Sequence, residues 1–327
     1  MPENNRASAV AAGLFNPITG KFLKQSWMAE KLFPSLFRFY RDAEELMSQR
    51  FFYPMPIYRP FISIEEQNEW MAQSESSSLR KFISKIYTSH AFNSRVNDAF
   101  GGVVTESSGY LDTVTFMRAT RYFLISKNAY LASRFSFNMA IIQKDKIIYD
   151  NIEATKIIFC DGIALRANPY FNWVPVHALK GETLTISLQE TPEVIFNRGV
   201  YIVPSHAEKS FIVGATYNPN DSTQNVSVLA RNEMEEKLKD LIKIPFTINH
   251  QNWGMRPTSP DRKPIIGPHP EFGNLIIFNG LGTKGVSLAP YFSDLLAVWL
   301  EGQGEIIPEV NIERFKSLYS KFSSAKI

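Results

Sequence analysis

The sequence predicts a mixed fold, α/β plus α+β, in which two domains are threaded through one another. One is built on a partly parallel sheet and the other on an antiparallel sheet. Three observations predict this. Strand-then-helix segments stand at both ends of the chain and in its middle. Turn-bounded apolar runs of antiparallel character lie between them. No internal repeat or low-complexity linker separates the parts, so they are interleaved rather than tethered.

Taken in order, Trp27–Gln49 ("WMAEKLFPSLFRFYRDAEELMSQ") has apolar residues near helical spacing, interrupted by Pro34, and predicts two short helices or one kinked helix. Phe51–Ser63 ("FFYPMPIYRPFIS") alternates aromatic residues with prolines and predicts strands at a sheet edge. Ser63 to Glu66 form a capping box that opens a helix through Trp70. Gly109–Ala132 predicts a strand and then a helix of about four turns. Strands follow at "RFSFNMAII", "KIIYD" and Thr155–Gly162 ("TKIIFCDG"), the last a buried strand ending in a turn glycine. The runs "GETLTISL", "GVYIVPS" and "KSFIVGATY" are antiparallel in character, and "VLARNEMEEKLKDLIK" is an amphipathic helix. "PFTINHQNW" predicts another strand, and the helix "NIERFKSLYSKF" is capped by Asn311.

A chain of 327 residues has room for one large domain or two interleaved ones. Its 35 basic and 32 acidic residues leave a net charge of +3, too small to hold nucleic acid or a membrane surface by electrostatics. The single Cys160 excludes an internal disulfide framework and suits a reducing compartment. No apolar run reaches the ~18–20 residues of a membrane span. The opening has a signal-like Arg6 and small residues around Ser8, but its apolar core is short and Glu3 intrudes, so the cytoplasm is expected. The five histidines, His90, His177, His206, His250 and His269, lack ligand spacing, and no metal is expected.

The stretch "NLIIFNGLGTKGVSLAPYFSDLLAVWL" places Gly280, Gly282 and Gly285 in the spacing G-x-G-x-x-G between a strand and a helix. A dinucleotide site needs a further βα unit after that helix, ending in an acid for the ribose. The residues after Leu300 hold a bare Glu305-Ile-Ile run, Pro308 and a last helix, so as an ADP-binding fingerprint the match is weak. Three glycines still allow close backbone approach, and a helix N-terminus favours an anion. The alternative is a plain tight turn.

Four blocks, Ala7–Gly20, "IIFCDG" (Ile157–Gly162), Tyr201–Tyr217 and Gly254–Pro290, resemble in order and spacing the flavin-dependent D-amino-acid oxidase / glycine oxidase family. That family includes the oxidase part of a bifunctional tRNA 5-methylaminomethyl-2-thiouridine enzyme. The block Gly-x-Arg-Pro-x-x-x-Asp-x-x-Pro-x-x-Gly, running into the glycine loop, is the most specific. The resemblance implies FAD as cofactor and a Rossmann-like FAD-binding domain (1–24, 113–172 and 262–327) interleaved with an antiparallel-sheet substrate domain (25–112 and 173–261).

It also implies site residues. Gly280, Leu281, Gly282, Thr283, Lys284, Gly285 and Val286 would face the pyrimidine side of the flavin, mainly through backbone. Ser8, Ala12, Gly13 and Leu14 would wrap the pyrophosphate and the inner flavin edge. Gly162, after Cys160 and Asp161, would close over the nucleotide, or form a plain β-turn. Arg256 would grip a substrate carboxylate, the alternative being an ion pair with Asp261. Tyr201 would share that carboxylate, or serve as a core tyrosine. The implied reaction is oxidation of the C–N bond of an amino acid or amine by hydride transfer to flavin N5. A non-catalytic small-molecule-binding relative is the other reading. No nucleic-acid or membrane partner is implied, and the oligomeric state is open. Members of the family begin with a βαβ unit for which Met1 stands too late. The chain therefore reads as N-terminally truncated, with an unpaired strand edge and weak FAD binding expected without an upstream unit.

Overall fold

The computed structural model describes residues 7–19, 24–75, 77–205 and 207–324, so His206 and Gly20 lie outside it. The elements begin with α1 (Ala7–Val10), β1 (Leu14–Phe15), β2 (Ile18–Thr19), β3 (Lys24–Gln25), α2 (Ala29–Met47), β4 (Phe52–Pro54) and β5 (Ile57–Pro60). Next come α3 (Ile64–Ser74), α4 (Ser77–Arg80), β6 (Ile83–Tyr87), β7 (Gly102–Thr105), β8 (Gly109–Leu111) and α5 (Thr113–Ser126). Four short strands follow, β9 (Ala140–Ile142), β10 (Ile147–Tyr149), β11 (Ile152–Ala154) and β12 (Ile157–Phe159). Then come β13 (His177–Leu188), β14 (Ile195–Arg198), β15 (Val200–Pro204), β16 (Ser210–Gly214), α6 (Val228–Leu241) and β17 (Phe246–Thr258). The chain continues with β18 (Ile265–Pro268), β19 (Leu275–Asn279), α7 (Gly285–Leu300) and α8 (Lys316–Ser324).

These elements fall into two compact units, each made of two chain segments: residues 1–126 with 180–254, and residues 127–179 with 255–327. The first unit is organised by an eight-stranded sheet in the order β17-β13-β16-β15-β14-β5-β7-β6. Alternation along its strands puts Leu184, Ile186, Phe196, Ile202 and Val213 on one face, against Met234, Leu238 and Leu241 of α6. Burying each such side chain contributes about 1.5–3 kcal/mol. Helix α6 starts where Ser227 accepts a hydrogen bond from Ala230 N at 3.1 Å. The opposite face carries Ile57, Ile195 and Val203, with Ala12 packed on them.

The predicted capping box is present, with Ser63 Oγ accepting from Glu66 N at 3.2 Å. The Glu66 carboxylate goes elsewhere, accepting from Ile62 N at 3.0 Å and from Arg198 Nη1 at 2.6 Å. Residues 29–47 form one helix despite Pro34, because Leu32, Phe33, Leu36 and Tyr40 bury a continuous stripe across the proline. The edge-strand expectation for Phe51–Ser63 holds for β4 but not for β5, which lies inside the large sheet between β14 and β7. Its prolines do not interfere, since Pro56 precedes the strand and Pro60 closes it.

A buried charge cluster latches the loop between β16 and α6. Lys180, 1% exposed, donates through Nζ to Asp221 Oδ2 (2.7 Å), Thr223 Oγ1 (2.9 Å) and Asn225 O (2.6 Å). Glu182 Oε1 lies 3.3 Å from the same nitrogen, and Glu182 also accepts from Ser227 N and Gln251 Nε2. Each charge is met by an opposite charge and by dipoles, the condition for keeping ions inside a protein.

The second unit holds a three-stranded sheet in the order β12-β19-β18 and an antiparallel sheet β11-β10-β9. β12 and β19 are parallel, with Ile157 opposite Leu275 and Phe159 opposite Ile277. Phe159, Leu165, Phe171, Ile265, Leu275, Ile277 and Ile312 form its core. The run Thr155–Gly162 is a shorter and less buried strand than predicted: β12 has three residues, and Ile158 is 40% exposed. The reason is its place at the sheet edge, with β19 as its strand neighbour among the described residues.

Candidate flavin site

The C-terminal ends of the parallel strands β12 and β19 each run into a left-handed glycine, Gly162 (φ 57°) and Gly280 (φ 74°). That is where open α/β sheets bind ligands. Asn279, 3% exposed, ties the two ends together. Its Nδ2 donates to Asp161 Oδ1 (3.1 Å) and to Gly162 O (2.9 Å), while its Oδ1 accepts from Gly280 N (2.8 Å). The second Asp161 oxygen accepts from Asn168 Nδ2 at 3.3 Å. Burial raises the pKa of Asp161 even so, because neutral amides compensate a desolvated carboxylate only in part.

The loop beyond Asn279 is fastened to the end of β17. Gly282 N donates to Pro257 O at 2.8 Å, and Leu281 forms a bridge with Thr258. Gly282 itself is left-handed, with φ 55°. Of the loop amides, Gly280, Gly282 and Lys284 donate within the protein. Those of Leu281, Thr283 and Gly285 have no hydrogen-bond partner among the described residues. Gly285 is the first residue of the sixteen-residue α7, whose first turn carries no acid. Alternate loop donors and the positive end of a helix dipole thus stay available in one short stretch. Lys284 adds positive charge, and its pKa is lowered by burial and by the neighbouring Arg262. The stretch suits a group bearing or gaining negative charge.

Arg256 belongs to the same unit, on β17, directly before the residues that fasten the loop. Asp261, named as its alternative partner, accepts from Arg314 Nε at 3.0 Å. The second unit thus assembles Gly162, Arg256 and Gly280 through Val286.

Ser8, Ala12, Gly13, Leu14 and Tyr201 belong to the first unit. Ser8 is exposed on α1, while Ala12 is buried. Gly13 (φ 66°) is required by the protein itself: a Cβ there would stand 1.8 Å from Leu111 O of β8. Leu14 and Tyr201 pack, half-buried, against the cluster of Ala12, Ile57, Ile195 and Val203, so the structure brings Tyr201 to the small-residue segment. A separate groove of about 370 Å³ beside α2, lined by Phe33, Phe37 and Phe82, holds none of these residues.

Sequence reasoning missed Asn279 and the pairing of Asp161. The available signal was an amide residue standing directly before Gly280 at a strand end, where Asn commonly satisfies turn amides.

A mixed sheet with glycine turns at its parallel strand ends, and a helix N-terminus kept open beside them, is the frame of a nucleotide-cofactor oxidoreductase. The chain belongs to the DAO family: the family model described as FAD dependent oxidoreductase matches residues 3–299. Its cofactor is accordingly FAD. The chain is 32% identical over 137 residues to the bifunctional protein ThiO/ThiG of Nostoc sp. (38% of this chain, 20% of that protein). It is 32% identical over 133 residues to glycine oxidase of Bacillus licheniformis (38% of this chain, 35% of that protein). It thus aligns with about a third or less of the length of these curated relatives. Among solved structures, iminodiacetate oxidase from Chelativorans sp. BNC1 superposes with a TM-score of 0.74 at 17% identity (94% of this chain, 89% of that one). Glycine oxidase from Bacillus cereus superposes with a TM-score of 0.71 at 17% identity (92% and 86%). These structures share the fold. No helix among the described residues is long and apolar enough to cross a membrane.

Proposed function

We propose that this chain oxidises the C–N bond of an amino acid or related amine. The observation that carries the reading is the glycine loop, with the Leu281, Thr283 and Gly285 amides lacking partners among the described residues and Lys284 placed at the start of α7. Bound FAD would supply the two-electron acceptor, taking the α-hydrogen as a hydride while the C–N single bond becomes C=N. The loop amides and the α7 dipole would stabilise the negative charge that reduction brings to the pyrimidine side of the ring. Gly162 would leave backbone room for the nucleotide, and Asn279 would hold the spacing of the two turns. Ser8, Ala12, Gly13 and Leu14 would face the pyrophosphate and the inner flavin edge. Arg256 would hold the substrate carboxylate through its planar fork, with Tyr201 sharing it. A neutral amine and correct placement suffice for hydride loss, so no general base is assigned.

The reading is supported by the family match and by the resemblance of this chain to glycine oxidase. Its test is flavin counted by absorbance per mole of purified protein, followed by anaerobic bleaching of the flavin with glycine, sarcosine and D-alanine. Arg256→Leu is expected to raise KM by two to three orders of magnitude, the equivalent of about 3–4 kcal/mol for a lost charged contact, with flavin retained. A protein that binds FAD and is bleached by none of these amines would favour the non-catalytic alternative. Unchanged KM in the variant would remove Arg256 from the site.

A further inference from the structure

β13, β16 and β15 are neighbours in the large sheet, and their registers set Thr183 opposite Gly214 and Gly214 opposite Tyr201. The three residues form one row across a single face, with a notch at the glycine. Tyr201 leans into that notch. A Cβ on Gly214 would lie 2.8 Å from the Tyr201 hydroxyl oxygen, 3.1 Å from its Cζ and 3.0 Å from Thr183 Cγ2. Glycine at 214 therefore leaves the room into which the Tyr201 ring leans, with the Thr183 side chain bordering the same notch. Thr183 is 5% exposed, yet its hydroxyl makes no hydrogen bond to any described residue. The oxygen is not sealed from solvent, so it is open to a ligand group approaching this face of the sheet.

We propose that Thr183 is a second hydroxyl contact for the substrate carboxylate beside Tyr201, and that Gly214 is the positioning residue that aligns the pair. This rests on the reading of Tyr201 as a carboxylate contact. The Thr183 hydroxyl donates to a carboxylate oxygen, and the ring tilt permitted by Gly214 turns the Tyr201 hydroxyl toward the same group. Both residues leave the chemistry to the cofactor and act on binding and orientation.

The test uses FAD-loaded protein and calorimetric titration with anthranilate, a carboxylate with an adjacent amine, alongside KM and kcat for the best amine substrate. Thr183→Val, which keeps the side-chain shape, is expected to weaken anthranilate about five- to tenfold and to raise KM more than it lowers kcat, with flavin content unchanged. Thr183→Ser keeps the hydroxyl and is expected to stay within about twofold of the parent. Gly214→Ala is expected to weaken binding as Tyr201→Phe does, and to add little in the Tyr201→Phe background. Wild-type affinity in Thr183→Val with a loss in Tyr201→Phe overturns the inference while leaving Tyr201 in the site. Equal losses in the Val and Ser variants overturn it as well, because packing rather than the hydroxyl would then matter. Wild-type affinity in Tyr201→Phe overturns the reading of Tyr201 and this inference with it.

Discussion

Asn279 uses both of its donors and one acceptor site to hold two turns: its amide nitrogen holds the turn after β12, and its oxygen holds the turn after β19. Asn279→Ala strips a partner from Asp161 and from the Gly280 amide at once. It is expected to cost about 1–3 kcal/mol of stability and to weaken FAD binding, read by thermal unfolding and by flavin titration. Asn279→Asp sets a second carboxylate against Asp161 and should be less stable at pH 8 than at pH 5.5, where protonation relieves the pair. Parent-like melting and FAD affinity in both variants would reduce the clamp to a bystander. At this scale the sequence was partly legible. The glycines stood out because their conformations are rare for other residues, and Arg256 stood out through its motif. Asn279 and Thr183 did not, since the meaning of the first lies in a partner 118 residues away and that of the second in a hydroxyl without a partner among the described residues.

Among the elements, the turn from β19 to α7 can be probed at Gly282. Its φ of 55° is strained for a β-branched residue, while a Cβ would find Thr258 Oγ1 at a tolerable 3.5 Å. Gly282→Val thus acts through the backbone and moves the flanking Leu281 and Thr283 amides. A lower reduction potential for bound FAD, or loss of FAD, is expected from dye-equilibration titration; an unchanged potential at full occupancy would leave the loop a plain turn. The loop between β16 and α6 is governed by Lys180. Lys180→Met leaves Glu182 and Asp221 without their cation, and a lower melting temperature is expected, with new protease cleavage between residues 217 and 226. Cleavage no faster than in the parent would show that the loop is held by other contacts. Helix α6 and the capping box were legible because both are local patterns. The interior position of β5 was not, since it depends on pairing with β14 and β7, neither of them adjacent in sequence.

For the molecule as a whole, acid sensitivity is expected to track His269. The ring is 4% exposed, and its Nδ1 accepts from Glu271 N (3.1 Å) and Phe272 N (3.2 Å). Burial lowers its pKa below the ordinary 6.5, so the folded state prefers the neutral ring. Below about pH 6.5 the unfolded chain takes up a proton that the folded chain resists, and stability falls with pH until the folded pKa is passed. Above pH 6.5 this contribution is complete. His269→Gln is expected to flatten the dependence of melting temperature on pH between about 6.5 and 5. The same slope in parent and variant would assign the acid sensitivity to other groups. Interleaving was legible from the absence of a linker, but the breaks between compact units, at 126/127, 179/180 and 254/255, were not. Two of them follow from which strands pair across the chain, and the last falls inside the uninterrupted strand β17.

The discontinuity of both units governs when this protein can fold during its own synthesis. The first unit lacks β13 to β17 and α6 until residue 254 has left the ribosome, and the second has β12 some 118 residues before the β19 that pairs with it. Neither can be completed by the amino-terminal half of a nascent chain, so the usual domain-by-domain order is closed to it. β12 must wait with Phe159 uncovered while the large sheet is assembled, a period of roughly 6–24 s at typical elongation rates. A chaperone that captures the growing chain is expected to engage it between the emergence of β12 and that of β19, and ribosome-associated crosslinking at staged chain lengths would reveal that window.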